Sequence, residues 1–174
     1  MMLRLLFLLP ILFLSACSKP EKADTDHTGL ETPAGEAVLR HVLSVCPHRS
    51  EAKQLTIVLG DKMEPASKAF EGKFSDTGLL VTPSKKLEAG MANGQVRIYD
   101  SVTQEPPIII QLSSLIEEPA SVPTFKAKAA WSWKDKAKRF IYTVKAKPDG
   151  AFDIKQEEEV PIAPRNQDGM REVK

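Results

Sequence analysis

Three groups of side chains in this chain could do chemistry. His41, Cys46 and His48 place two imidazoles and a thiol close together, ligand types that suit zinc or copper. Their spacing, His41-x4-Cys46-x-His48, matches no closed metal site, and on a helix residues five apart do not share a face. A Cys–His catalytic pair also needs an accessible, activated thiolate. Neither a metal site nor a catalytic residue is therefore assigned, and no cofactor is expected. Trp131 and Trp133 could stack on sugar rings, as a peptidoglycan-binding surface would; their large apolar area favours burial in a core. Between Phe125 and Lys147 stand Lys126, Lys128, Lys134, Lys136, Lys138, Arg139, Lys145 and Lys147 against Asp135 alone, eight positive charges less one negative, or +7. Lys126, Lys128, Lys145 and Lys147 form the candidate face for an anionic partner, since each basic group near a charged membrane contributes about 1 kcal/mol. The plainer and favoured reading is a solvated face whose lysines discourage edge pairing, with Glu157, Glu158 and Glu159 folding back onto it after the last strand.

The elements that must position these groups follow from periodicity and turn chemistry. Thr32 can cap a helix, Pro33 fits its first turn, and Ala34, Val38, Leu39, Val42, Leu43 and Cys46 recur at helical spacing until Pro47 stops it. Gln54 to Leu59 reads as a strand closed by Gly60-Asp61. Pro65 to Glu71 predicts a second helix burying Ala66, Ala69 and Phe70 and ending at Gly72. Gly78 to Thr82 predicts a brief strand, and Ser84 caps one helical turn through Ala89. Gln95–Val102 and Pro107–Leu112 predict two strands joined through Thr103-Gln104-Glu105-Pro106, the proline pair placing the second at an edge or moving its start to Ile108. Residues 117–123 form a break. Phe125, Ala127, Ala129, Trp131 and Trp133 then alternate with polar or small residues, Lys134-Asp135-Lys136 turns the chain, and Phe140, Tyr142, Val144 and Ala146 alternate again. Lys147-Pro148-Asp149-Gly150 has β-turn chemistry, and Phe152 with Ile154 begins a third strand of an antiparallel meander.

The N-terminus carries an address. Arg4 supplies a positive region, Leu5 to Leu14 an apolar one, and small residues precede a cleavage point, the three parts of an export signal. A spanning helix needs about 20 apolar residues, whereas this run stops at Ser15 before Ser18-Lys19-Pro20-Glu21-Lys22. Leu14-Ser15-Ala16-Cys17 resembles the lipobox of bacterial lipoproteins, in which a branched apolar residue and two small ones precede a cysteine. The resemblance implies a diacylglycerol thioether on Cys17, recognition of Leu14, Ser15 and Ala16 by the signal peptidase with cleavage before the cysteine, and a further acyl chain such as palmitate on the freed amine. Burial of acyl chains contributes about 0.8 kcal/mol per CH₂, and two or three chains hold a protein where one does not. Ser18, in place of an aspartate, implies an outer-membrane, periplasm-facing location. The alternative is an ordinary signal peptide with a chance cysteine after the cleavage site.

Several consequences follow. Removing residues 1–16 takes away Arg4 alone among the charged groups, so 24 basic side chains less one leave 23 against 23 acidic ones. A neutral mature chain argues against nucleic acid as a partner. With Cys17 acylated, Cys46 has no partner within the chain; burial is favoured, and a homodimer bridged through Cys46 is the other reading. Residues 17–31 read as a lipidated cysteine and flexible tether, 32–160 as one α+β domain and 161–174 as a loose tail. The fold expected is α+β, an N-terminal helix packed on a mainly antiparallel sheet that ends in the three-stranded meander. The helix near Phe70 followed by Gly78–Val81 is similar to the helix-to-strand step of winged-helix modules, implying protein contact in a neutral, tethered domain. The expected function is a non-catalytic envelope lipoprotein facing the periplasm, with an envelope protein, lipopolysaccharide or peptidoglycan as partner. An envelope hydrolase built from dispersed carboxylates and a structural spacer are the alternatives.

Overall fold

A computed structural model describes residues 29–92 and 95–161. Leu14, Ser15, Ala16 and Cys17, the tether to residue 28 and the tail from residue 162 lie outside the described residues. In chain order the elements are α1 (Pro33–Val45), β1 (Gln54–Leu59), β2 (Glu64–Pro65), α2 (Lys68–Gly72), β3 (Leu80–Val81), β4 (Leu87–Ala92), β5 (Gln95–Asp100), β6 (Ile108–Glu118), β7 (Thr124–Trp133), β8 (Lys136–Ala146) and β9 (Phe152–Val160). Single 3-10 turns occupy Ser75–Thr77 and Ser84–Lys86. None of the helices among the described residues is long and apolar enough to cross a membrane.

Helix α1 begins and ends where local chemistry requires. The Thr32 hydroxyl accepts from the Gly35 N–H at 3.1 Å, Pro33 sits where no N–H is needed, and Glu36 lies in the first turn, where the helix dipole favours a carboxylate. Pro47 forbids helical geometry at the residue before it, and Cys46 accordingly turns to ψ 115°. Val38, Leu39, Val42, Leu43 and Cys46 form one buried stripe. Each large apolar side chain removed from water contributes roughly 1.5–3 kcal/mol. Leu30 packs against the same core and Glu31 accepts from the Ser67 backbone and hydroxyl, both at 2.6 Å, so the chain is tied to the domain before the helix starts.

The principal sheet runs β2-β1-β6-β7-β8-β9, with β3 also paired to β1. Its pairs are antiparallel except β1 with β6 and β1 with β3. The fold is thus α+β and sheet-dominated, a curled sheet with an N-terminal helix against it. On the inner face lie Leu55, Ile57 and Leu59 of β1, Ile108, Ile110 and Leu112 of β6, Ala127, Ala129, Trp131 and Trp133 of β7, and Phe140, Tyr142 and Val144 of β8, all buried. Helix α1 crosses this face against β6 to β9. Small Ala127 and Ala129 give the helix room while the two indoles fill the end nearest Cys46 and His48. Register shifts at Leu112/Ser114 and Ile141/Tyr142 are bulges, which bend strands and let the sheet wrap the helix.

The middle of the chain departs from the sequence reading. Helix α2 starts at Lys68, capped by the Ser67 hydroxyl on the Phe70 N–H, so its buried phase is Phe70 and Glu71; Ala69 is exposed. With only five residues in α2 and two in β3, which joins β1 in parallel, no winged-helix step is built. The turn expected through Ala89 stops at Lys86, and β4 pairs with β5 as a separate two-stranded hairpin. Strand β6 begins at Ile108, as the proline pair allowed, but lies in the sheet interior between β1 and β7 and runs on to Glu118. Arg40 fastens α1 to α2 and the following turn by donating to Glu36 at 2.9 Å, Asp76 at 3.0 Å and the Lys73 carbonyl.

Candidate functional site

The outer face of the sheet, opposite α1, collects part of the basic cluster. Residues directly paired across antiparallel strands share a face, and Thr124 pairs with Lys145, Lys126 with Thr143 and Lys128 with Ile141. Lys126, Lys128 and Lys145 therefore project together, while Lys147 follows in the turn closed by Gly150 N–H to the Lys147 carbonyl. Ile116, exposed, stands opposite Lys126 on the neighbouring strand. The remaining lysines go elsewhere. Lys136 and Lys138 pair with Trp133 and Trp131 on the inner-face side, Lys138 meets Glu159 at 3.0 Å, and the Lys134 ammonium lies 3.8 Å from the Trp133 ring centroid. The +7 segment is divided between two faces.

The acidic run at the C-terminal end supplies counter-charge from within β9, which extends to Val160 and does not end before these glutamates. Glu157 accepts from Lys126 and from the Thr143 hydroxyl, which hold its carboxyl below the usual range. Asp153 pairs in register with Lys145. Among the described residues Lys128 and Lys145 make no ion pair, so the face retains two cations open to solvent.

The histidines and indoles form a second cluster with a structural character. Trp131 and Trp133 are buried, as their area suggests. His48 stacks on Trp133 at 4.7 Å between centroids, and its Nδ1–H donates to Glu51 Oε1 at 3.0 Å, which holds the Glu51 carboxyl low. His41 meets Tyr142 edge-on at 5.3 Å, and burial lowers its basicity. Cys46 is buried as a free thiol whose ionisation burial opposes, the reverse of a nucleophile's environment. A bridge to a second copy through Cys46 would require the end of α1 to open. Among the described residues no group of three or more His, Cys, Asp and Glu is placed to hold a metal. The Trp131 and Trp133 Nε1 atoms and the Tyr142 hydroxyl are buried without protein partners, and burial pushes the phenol up to about 12.

A third arrangement was not legible beforehand. Glu71 of α2 is 7 % exposed, its Oε1 has no hydrogen-bond partner, and it borders a hollow of about 390 Å³ between α2 and β3. Burial pushes its carboxyl up; Glu31 adds to the shift, while Lys85 and Lys68 oppose it. The only signal in the sequence was the Ser67 cap, which sets the phase of Phe70, Glu71 and Phe74. A second hollow of about 370 Å³ lies between the start of α1 and the Leu115, Phe125 and Phe152 end of the sheet.

Comparison with protein-family models, with curated proteins and with solved structures returned no match.

Proposed function

We propose that the chain is an envelope lipoprotein, acylated at Cys17, whose α+β domain binds an anionic component of the bacterial envelope through the outer face of its sheet. The observation that carries this reading is the convergence of Lys126, Lys128 and Lys145 on one solvent-facing surface, with Lys147 at its end. Lipopolysaccharide phosphates, phospholipid headgroups and an acidic protein surface all offer the complementary charge. The acyl anchor on an outer-membrane leaflet facing the periplasm would hold the face near such groups. With Leu30 and Glu31 tied to the domain, a tether over residues 18–28, about 11 residues, would give it a reach of roughly 18 Å. Peptidoglycan binding through exposed indoles is disfavoured because Trp131 and Trp133 are occupied in the core.

Replacing Lys126, Lys128, Lys145 and Lys147 together by Gln should weaken cosedimentation with anionic envelope vesicles at low salt, and added salt should reduce the wild-type signal likewise. Unchanged cosedimentation of the quadruple variant would remove the basic face from the account. The second reading, an envelope hydrolase, is favoured by one observation, the buried Glu71 with its raised carboxyl.

A further inference from the structure

The hollow at the start of α1 has a volume of about 370 Å³ and is walled by Leu115 of β6, Phe125 of β7, Phe152 of β9 and Pro33 and Ala34 of the helix. Leu115, Phe125 and Phe152 pack against the core yet stay partly exposed, so apolar surface is left in water that an apolar occupant would cover. The polar groups of the wall do not select a polar ligand. The Thr32 hydroxyl is engaged as the cap of α1. The exposed Glu117 carboxylate opposes an anionic headgroup and is indifferent to a neutral chain. Gly29, where the described chain begins, is itself part of the wall. About 11 residues separate it from Cys17, a flexible span of roughly 18 Å. A group carried by Cys17 would therefore meet the hollow at an effective concentration on the order of millimolar.

We propose that this hollow shelters one acyl chain of the lipid on Cys17 of the same molecule while the protein is out of a membrane. The proposal rests on the reading of Cys17 as acylated, and it is independent of what the outer lysine face binds. A thioether-linked diacylglycerol is uncharged, which suits a wall whose one charged member is Glu117. Burial of methylenes drives the chain into the hollow in water. A bilayer offers the same burial to every acyl chain at once, so insertion empties the hollow.

The test uses the mature chain from Cys17, which retains every described residue, alkylated at Cys17 with N-decylmaleimide; Cys46 is buried and escapes the reagent. NMR in detergent-free buffer should show contacts from the decyl protons to the Leu115 and Ala34 methyls and to the Phe125 and Phe152 rings, unchanged on tenfold dilution. N-ethylmaleimide should give none, and each methylene removed from the decyl chain should lower the occupancy constant about fourfold. Gly29→Phe, at a position where a Cβ meets nothing within 4 Å, should obstruct the mouth and lower the constant about tenfold while leaving the core methyl spectrum unchanged. In lipid nanodiscs the contacts should disappear. No contacts in buffer, contacts that fade on dilution and so come from a neighbouring molecule's chain, no dependence on chain length, or an unaffected Gly29→Phe protein would overturn the proposal. Because the alkyl group is attached chemically, those outcomes leave acylation in the cell standing. That reading fails separately, if the wild-type protein takes up no alkyne-palmitate, and the proposal then fails with it.

Discussion

Gly35 shows how one residue can be required inside a good helix. A Cβ at this position would stand 2.0 Å from the Leu30 carbonyl oxygen and 3.1 Å from Leu112 Cδ2. Alanine would raise helix propensity by about 1 kcal/mol, yet the incoming chain and the sheet leave no space. Gly35→Ala should therefore destabilise by about 1–3 kcal/mol in denaturant unfolding; a gain in stability would show that Leu30 does not pass so close. Glu71 makes the opposite point, a residue that fits sterically but not electrostatically. Because its carboxyl is raised, the native state keeps a proton that the unfolded chain has already released. Its contribution to stability falls as pH rises from the ordinary carboxylate range through the raised value. Unfolding measured across that window should show the fall in wild type and a flatter profile in E71Q; parallel profiles would place Glu71 in water. The core residues were readable because alternation names them directly. Glu71 was hidden because two residues, Ser67 and Lys68, decide the phase of a very short helix.

At the level of elements, α1 and the β7–β8–β9 meander were legible because cap, proline stop, alternation and turn all agree with the tertiary structure. Thr32→Ala removes the acceptor for the Gly35 N–H and should cost about 1 kcal/mol, read as a lower denaturation midpoint with unchanged cooperativity. Strand β6 was cut short in the sequence because its bulge after Leu112 shifts the inward phase from Ile108, Ile110 and Leu112 to Leu115, where Ser113 and Ser114 look like a break. Its interior position was equally hidden, since parallel pairing with β1 is a long-range event with no local signal. The β4–β5 hairpin did have one: Asn93-Gly94 between short strands is a favoured hairpin dipeptide, but Gly90 obscured the first strand. That glycine is explained by Tyr99, whose Cε1 would lie 2.6 Å from a Cβ there.

For the whole molecule, charge arrangement matters more than charge total. A formal net charge of only +1 coexists with an outer face bearing Lys128 and Lys145, while Glu157 and Glu159 neutralise Lys126 and Lys138. Glu157, held low by Lys126 and Thr143, contributes stability above the ordinary carboxylate range that is lost as pH falls through its depressed value. Acidification should therefore loosen β9 from the sheet and expose more positive charge. The anchor is expected from Leu14-Ser15-Ala16-Cys17 alone: Cys17→Ser should abolish incorporation of alkyne-palmitate, and a normally labelled variant would refute acylation at Cys17. Whether an envelope component meets the lysine face, as proposed, is most directly read by photo-crosslinking in the bacterial envelope, with a photoreactive amino acid at position 128 and, as control, at position 62 in the turn between β1 and β2. A defined, salt-sensitive adduct is expected from position 128 and none from position 62. Identical products from both positions, or none from position 128, would contradict it.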